Sequence, residues 1–126
     1  MALMRMPTNV GGGGSEFEIQ EVSLTGSNAG IQKITSETGK SPYFAQMYND
    51  TLKGTSNAVY TLWSSTDANN FLWGVGSSGS AGRSAVGTST GTTPNVKEYD
   101  STSITFRCPT NSTYYTGTFK CAVVFK

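Results

Sequence analysis

Through the last quarter of the chain apolar residues fall at every second position, a period that strands satisfy and helices do not. Ile104, Phe106 and Cys108 alternate with Ser103, Thr105 and Arg107. After the turn-forming Pro109-Thr110-Asn111-Ser112 comes the run Tyr114–Phe125, in which Phe119, Cys121, Val123 and Phe125 share one face. Ala122 and Val124 make the other face apolar as well. This last strand is therefore expected to be covered on both sides and to lie centrally in its sheet.

The same period recurs upstream. Glu16–Leu24 sets Phe17, Ile19 and Glu21 against Glu16, Glu18 and Gln20, and then Val22 and Leu24 shift the apolar face, which suggests a bulge. Ile31–Thr35 reads as a short strand between the turn Thr25–Gly30 and the loop Ser36–Pro42. Ala58–Trp63 and Asn70–Val75 form a strand pair around the polar connection Ser64–Asn69. Pro42–Gly54 carries helix signals, with Ser41 as a cap, Pro42 at the first position and Gly54 as a stop. Tyr43, Phe44 and Tyr48 favour a strand instead, and Asn49-Asp50-Thr51 reads as a turn, so a strand is expected over Tyr43–Tyr48. Ser77–Pro94 has Val86 as its one sizeable apolar group and reads as a long loop. Val96–Tyr99 reads as a short edge strand.

These segments define an all-β chain, an antiparallel β-sandwich or jelly roll of about eight short strands. The abundance of Thr, Ser and Gly agrees with strands joined by tight turns. Residues 16–126 form one domain. Ahead of it, Met1–Ser15 reads as an extended N-terminal arm with Leu3, Met4, Met6, Pro7 and Val10 as docking residues. Gly11, Gly12, Gly13 and Gly14 act as a hinge. Four glycines lose much backbone entropy on ordering. An arm beyond such a hinge gains order by lying against something, so docking on a neighbour is expected. Gly11–Ser15 also has the composition of a synthetic flexible linker.

Net charge is +1 and only 13% of residues are charged, which gives no electrostatic reason to bind nucleic acid or an anionic membrane. The opening residues lack the apolar core of a secretory signal, and no run approaches a membrane span. The expected location is a virion, made in a host cytoplasm and released by lysis.

The chain has no histidine, so the commonest general base and metal ligand are missing. Catalytic residues, a bound metal and a cofactor are not expected. A carboxylate pair drawn from Asp50, Asp67, Glu98 and Asp100 is the one catalytic alternative. Glu16, Glu18 and Glu21 read as the solvated face of a strand. Gly39-Lys40-Ser41 imitates the end of a phosphate loop but lacks the earlier glycine, since Ile34 stands there. Asn49-Asp50-Thr51 and Asn111-Ser112-Thr113 fit the glycosylation triplet and read as surface turns. Trp63, Trp73, Tyr114 and Tyr115 are candidates for stacking on sugar rings, although the two tryptophans sit in strongly apolar strands that suit a core. Cys108 and Cys121 bracket 12 residues. A bridge between them would contribute roughly 3 kcal/mol. Two buried thiols are the competing reading, favoured for folding in a reducing cytosol.

The order of segments carries a resemblance. Gly39-Lys40-Ser41-Pro42-Tyr43-Phe44-Ala45-Gln46-Met47-Tyr48-Asn49 precedes the strands of Trp63 and Trp73. Ser103-Ile104-Thr105-Phe106, a turn, Tyr114-Tyr115 and Ala122-Val123-Val124 close the chain. This resembles the small β-sandwich proteins of bacteriophage particles, found in tail, baseplate, fibre and capsid-decoration roles. The likeness spans roughly residues 30 to 126 and rests on strand order, so it transfers no functional residue. It implies a non-enzymatic virion structural protein, an accessory capsid-decoration or appendage subunit held by its arm. The implied partners are other virion proteins and further copies of the chain. A glycan- or host-surface-binding module of a tail or fibre is the alternative.

Overall fold

The computed structural model describes residues 16–25, 30–76, 78–88, 93–108 and 117–126. The N-terminal arm with its docking and hinge residues, Tyr114, Tyr115 and Asn111 lie outside them. Among the described residues the chain forms nine strands and one short 3-10 turn, Ser65–Asp67. The strands are β1 Glu18–Thr25, β2 Ile31–Thr35, β3 Pro42–Asn49, β4 Val59–Ser64, β5 Asn70–Val75, β6 Ser80–Ala85, β7 Asn95–Tyr99, β8 Ser103–Arg107 and β9 Thr118–Phe125. They build two antiparallel sheets, a six-stranded one in the order β1-β9-β3-β4-β5-β6 and a three-stranded one in the order β2-β8-β7. The small sheet lies over the middle of the large one, β8 on β3 and β7 on β4 and β5. The expected antiparallel β-sandwich is the fold.

The core lies between the sheets. Phe71, Phe106, Phe119 and Phe125 are each almost fully withdrawn from water, as are Met47, Ile34 and Ile104. Each such side chain contributes roughly 1.5–3 kcal/mol relative to exposure. Where the chain crosses from the large sheet to the small one, Thr61 Oγ1 donates to the Pro94 carbonyl, and Gly87 N donates to Val96 O at 3.0 Å.

Four expectations change. Ser77–Pro94 is not a continuous loop, because β6 pairs with β5 from Asn70↔Ala85 to Val75↔Ser80. Its residues are Ser, Ala, Gly and Arg, so the backbone ladder holds it and no apolar period announces it. β1 pairs with β9 through eight consecutive residues without a bulge. β9 is paired on both edges, yet only one of its faces is buried, and Ala122 and Val124 remain half-buried. The strand covered on both faces is β8, where Ser103, Ile104, Thr105 and Phe106 are all buried. Thr105 lies in register between Lys33 and Glu98.

The regular β1 corrects the fourth expectation. Glu18 is not on a solvated face; it points inward with Gln20 and Val22 and is only 6% exposed. Its carboxylate accepts from Ser36 Oγ at 2.8 Å, Glu37 N at 2.8 Å, Thr38 N at 3.2 Å and Gln20 Nε2 at 2.6 Å. Burial raises its pKa, but the hydrogen bonds from Thr38, Gln20 and Ser36 outweigh burial and hold the carboxyl below its ordinary value. A charge turned inward on an edge strand also discourages pairing with another chain.

Candidate interaction face

The large sheet has a second face, and the small sheet does not cover it. Register identifies its side chains, because residues directly paired across antiparallel strands point the same way. One row reads Glu21, Ala122, Gln46, Leu62, Leu72, Arg83 from β1 to β6. The next reads Ser23, Lys120, Tyr48, Tyr60, Gly74, Ala81. On the other side of the first row, Ile19, Val124, Phe44 and Ser64 stand level. The middle of this face is mainly apolar and aromatic, with Leu72 49%, Tyr60 41% and Phe44 38% exposed, and Gln46 is its polar member. Charged groups stand at its rim.

Two local devices shape it. The ladder between β3 and β9 shifts register between Pro42 and Phe44. One extra residue there buries Pro42 and leaves the adjacent Tyr43 and Phe44 both exposed, which strict alternation forbids. Gly74 is the second device. A Cβ at that position would come within 2.3 Å of the Tyr60 ring, so the ring lies flat across the glycine.

Phe44, Leu62 and Leu72 border a shallow groove of about 170 Å³, which Trp63 and Phe71 also line and which Ser64, Asp67 and Asn70 edge with polar groups. Asp67 receives Asn70 Nδ2 at 3.0 Å and is gripped by Arg83 through Nε and Nη2, both at 2.9 Å. The Asn70 hydrogen bond, followed by those of Arg83, holds its carboxyl below the usual aspartate value. At the corner where the last strand ends, the Lys126 ammonium lies 5.1 Å from the Tyr43 ring centre and 5.6 Å from that of Phe17. Glu16 pairs with it at 3.3 Å.

The candidate residues named from sequence fall in different places. Trp63 is 3% exposed. Its indole N–H donates to Ala68 O at 2.8 Å, and its ring packs 5.3 Å from that of Tyr99. Trp73 is half-buried on the inner face, donating to Ser84 Oγ at 3.0 Å and crossing Gly82. Among the described residues the exposed aromatics are Tyr43, Phe44, Tyr60 and Tyr99. Signals for them were present as the outward half of each alternating strand, but alternation does not say which half meets water. Cys108 and Cys121 are both free and buried. Cys108 Sγ approaches Met47 Sδ at 4.0 Å, and Met47 is the register partner of Cys121. Burial pushes the Cys121 thiol up to about 12, which keeps it protonated and unreactive.

The four carboxylates weighed as a catalytic alternative each have a local partner. Asp50 pairs with Lys53 at 2.8 Å, Asp67 with Arg83, Glu98 with Lys97 at 2.9 Å, and Asp100 accepts from Thr102 N at 2.9 Å. Among the described residues, no three His, Cys, Asp or Glu side chains are grouped to hold a metal. Gly39-Lys40-Ser41 leads into strand β3, not into the helix a phosphate loop requires. Asn49 of the first glycosylation triplet is no surface turn residue: it is 1% exposed, and its Oδ1 accepts from Leu52 N at 3.0 Å.

Comparison with known protein families, with curated proteins and with solved structures finds no match for the chain. What the geometry defines is a β-sandwich with one sheet face closed into a core and the other presenting a rimmed apolar surface.

Proposed function

We propose that this chain is a non-enzymatic structural subunit of a bacteriophage particle, an accessory capsid-decoration or appendage protein. Its N-terminal segment anchors it to the particle, and its outer sheet face is the assembly surface. The observation that carries this reading is the apolar middle of that face. A contiguous apolar patch rimmed by charges is the usual mark of a protein–protein contact. The resemblance in strand order to particle proteins of phages supports it as well.

The test is assembly. Co-expressed with the other proteins of a phage particle, the full chain co-sediments with particles. Deleting residues 1–14 leaves a folded domain that no longer does so. Full occupancy of particles by the truncated chain would sink the anchor.

A second reading is a host-surface glycan-binding module of a tail or fibre. The polar edge of the groove at Ser64, Asp67 and Asn70, beside the Phe44 ring, favours it. Sugars bind through an aromatic platform and hydrogen-bonding groups around it. A glycan array probed with the wild-type chain and with Phe44→Ala decides between the readings.

A further inference from the structure

We infer that the outer face of the six-stranded sheet is a self-complementary surface whose partner is a second copy of this chain, packed face to face about a two-fold axis. This rests on reading the face as an assembly surface and names the occupant.

The argument comes from register. The row Glu21, Ala122, Gln46, Leu62, Leu72, Arg83 has an anion at one end, a cation at the other and uncharged residues between. A two-fold axis along the strands, between β3 and β4, reverses the strand order and keeps each row level. It sets β1 over β6, β9 over β5 and β3 over β4 of the second copy. Glu21 then meets Arg83 of the second copy, and Arg83 meets Glu21, so each contact occurs twice, as an isologous interface requires. Asp67 engages only Nε and Nη2 of Arg83, and a guanidinium has five donors.

Size matches in the same arrangement. Leu72 falls over Ala122 of the second copy and Phe44 over Ser64, while Gln46 meets Leu62 and Lys120 meets the Tyr60 ring that fills the space over Gly74. The Leu72–Ala122 and Phe44–Ser64 contacts each set a large side chain against a small one, which lets two sheets interdigitate. Tyr48 meets Tyr60, whose ring already lies flat across Gly74. Lys120 does not oppose a like charge and keeps Asp50 beside it at 4.0 Å.

The projected area is of the same order as a standard interface but below it. Six strands about 4.8 Å apart and about six residues long give a face on the order of 500 Å² in projection, and side-chain relief adds to its accessible surface. A stable interface uses about 800 Å² per partner.

Sedimentation velocity on the full chain over a concentration series tests this, with variants at exposed or half-buried positions that leave the core intact. The wild-type chain sediments as a dimer. Leu72→Lys weakens the dimer about 100-fold or more, because each copy places an ammonium in an apolar contact. Glu21→Arg and Arg83→Glu each weaken it about tenfold, and the double reversal E21R/R83E restores it. Circular dichroism and thermal melting show each variant folded. Three results would overturn the inference: a monomer up to about 100 µM, a dimer indifferent to Leu72→Lys and to both charge reversals, or a dimer lost when residues 1–15 are removed. A monomer that still co-sediments with particles overturns the second copy alone. A dimer that never joins them overturns the proposed function alone.

Discussion

The two faces of the six-stranded sheet are made from the same strands and differ only in which alternate residues they receive. The inner row next to Leu72 reads Val22, Cys121, Met47, Thr61, Trp73, Gly82; the outer row reads Glu21, Ala122, Gln46, Leu62, Leu72, Arg83. The inner row is closed by the small sheet and has its polar member, Thr61, hydrogen-bonded to Pro94. The outer row is not covered by the small sheet and still carries leucines. The lesson is that apolar content does not assign burial. What assigns it is whether a second layer arrives, and here the small sheet has three strands with which to cover six.

Neighbouring residues in one strand give the largest contrast. Phe71 is 2% exposed and faces the core, whereas Leu72 is 49% exposed. Phe71→Ala leaves a cavity and costs about 3–5 kcal/mol in urea unfolding.

Glu18 is the inner face's exception, a carboxylate at its edge. Glu18→Ala strands the Ser36, Thr38 and Gln20 donors and costs about 1–3 kcal/mol. Its folded pKa lies below the ordinary 4.5. The stabilisation is therefore complete above that value and fades as pH falls through the folded pKa. Wild-type unfolding midpoints should drop on acidification below 4.5 more steeply than those of Glu18→Gln. Equal slopes would show that Glu18 is not held as an anion.

Gly82 and Gly74 contrast the faces on a smaller scale. A Cβ at Gly82 would stand 2.6 Å from the Trp73 indole, which Ser84 and the core hold in place. Gly82→Ala is expected to cost about 1–3 kcal/mol and to shift tryptophan emission. At Gly74 the clash is with the outer end of Tyr60, which is 41% exposed in the single chain and can swing aside, so Gly74→Ala is expected to cost the monomer less than about 1 kcal/mol. The smallest effect belongs to Leu72→Ala, within about 0.5 kcal/mol of wild type for the monomer. A larger loss for the monomer would mean the outer face is covered by its own chain.

Much of this architecture was legible in the residues. β3, β4, β5, β8 and β9 announce themselves through branched and aromatic side chains at a period of two. The strand over Tyr43–Tyr48 won against the helix signals of Ser41 and Pro42 because the aromatics fit a pleated surface. β6 was not legible, since Ser, Ala and Gly carry no apolar period and its stability comes from backbone pairing with β5. The burial of Glu18 was not legible, because carboxylates are rarely buried and nothing nearby in sequence shows that Ser36–Thr38 folds over it, eighteen residues on. The exposed aromatics were not legible: of the four candidates, Trp63 and Trp73 turn inward and Tyr114 and Tyr115 lie outside the described residues, while Phe44 and Tyr60 stand on the outer face.

Sequence alone determined the class of structure and the two faces of each strand, because side-chain alternation is a property of the backbone that needs no partner. Only the tertiary structure decided which face meets water, that Glu18 is enclosed, and that Glu21 and Arg83 stand at opposite ends of one row. Those outcomes depend on strand order and on where the second sheet lands. Both are set by contacts between residues far apart in the chain, which no local pattern encodes.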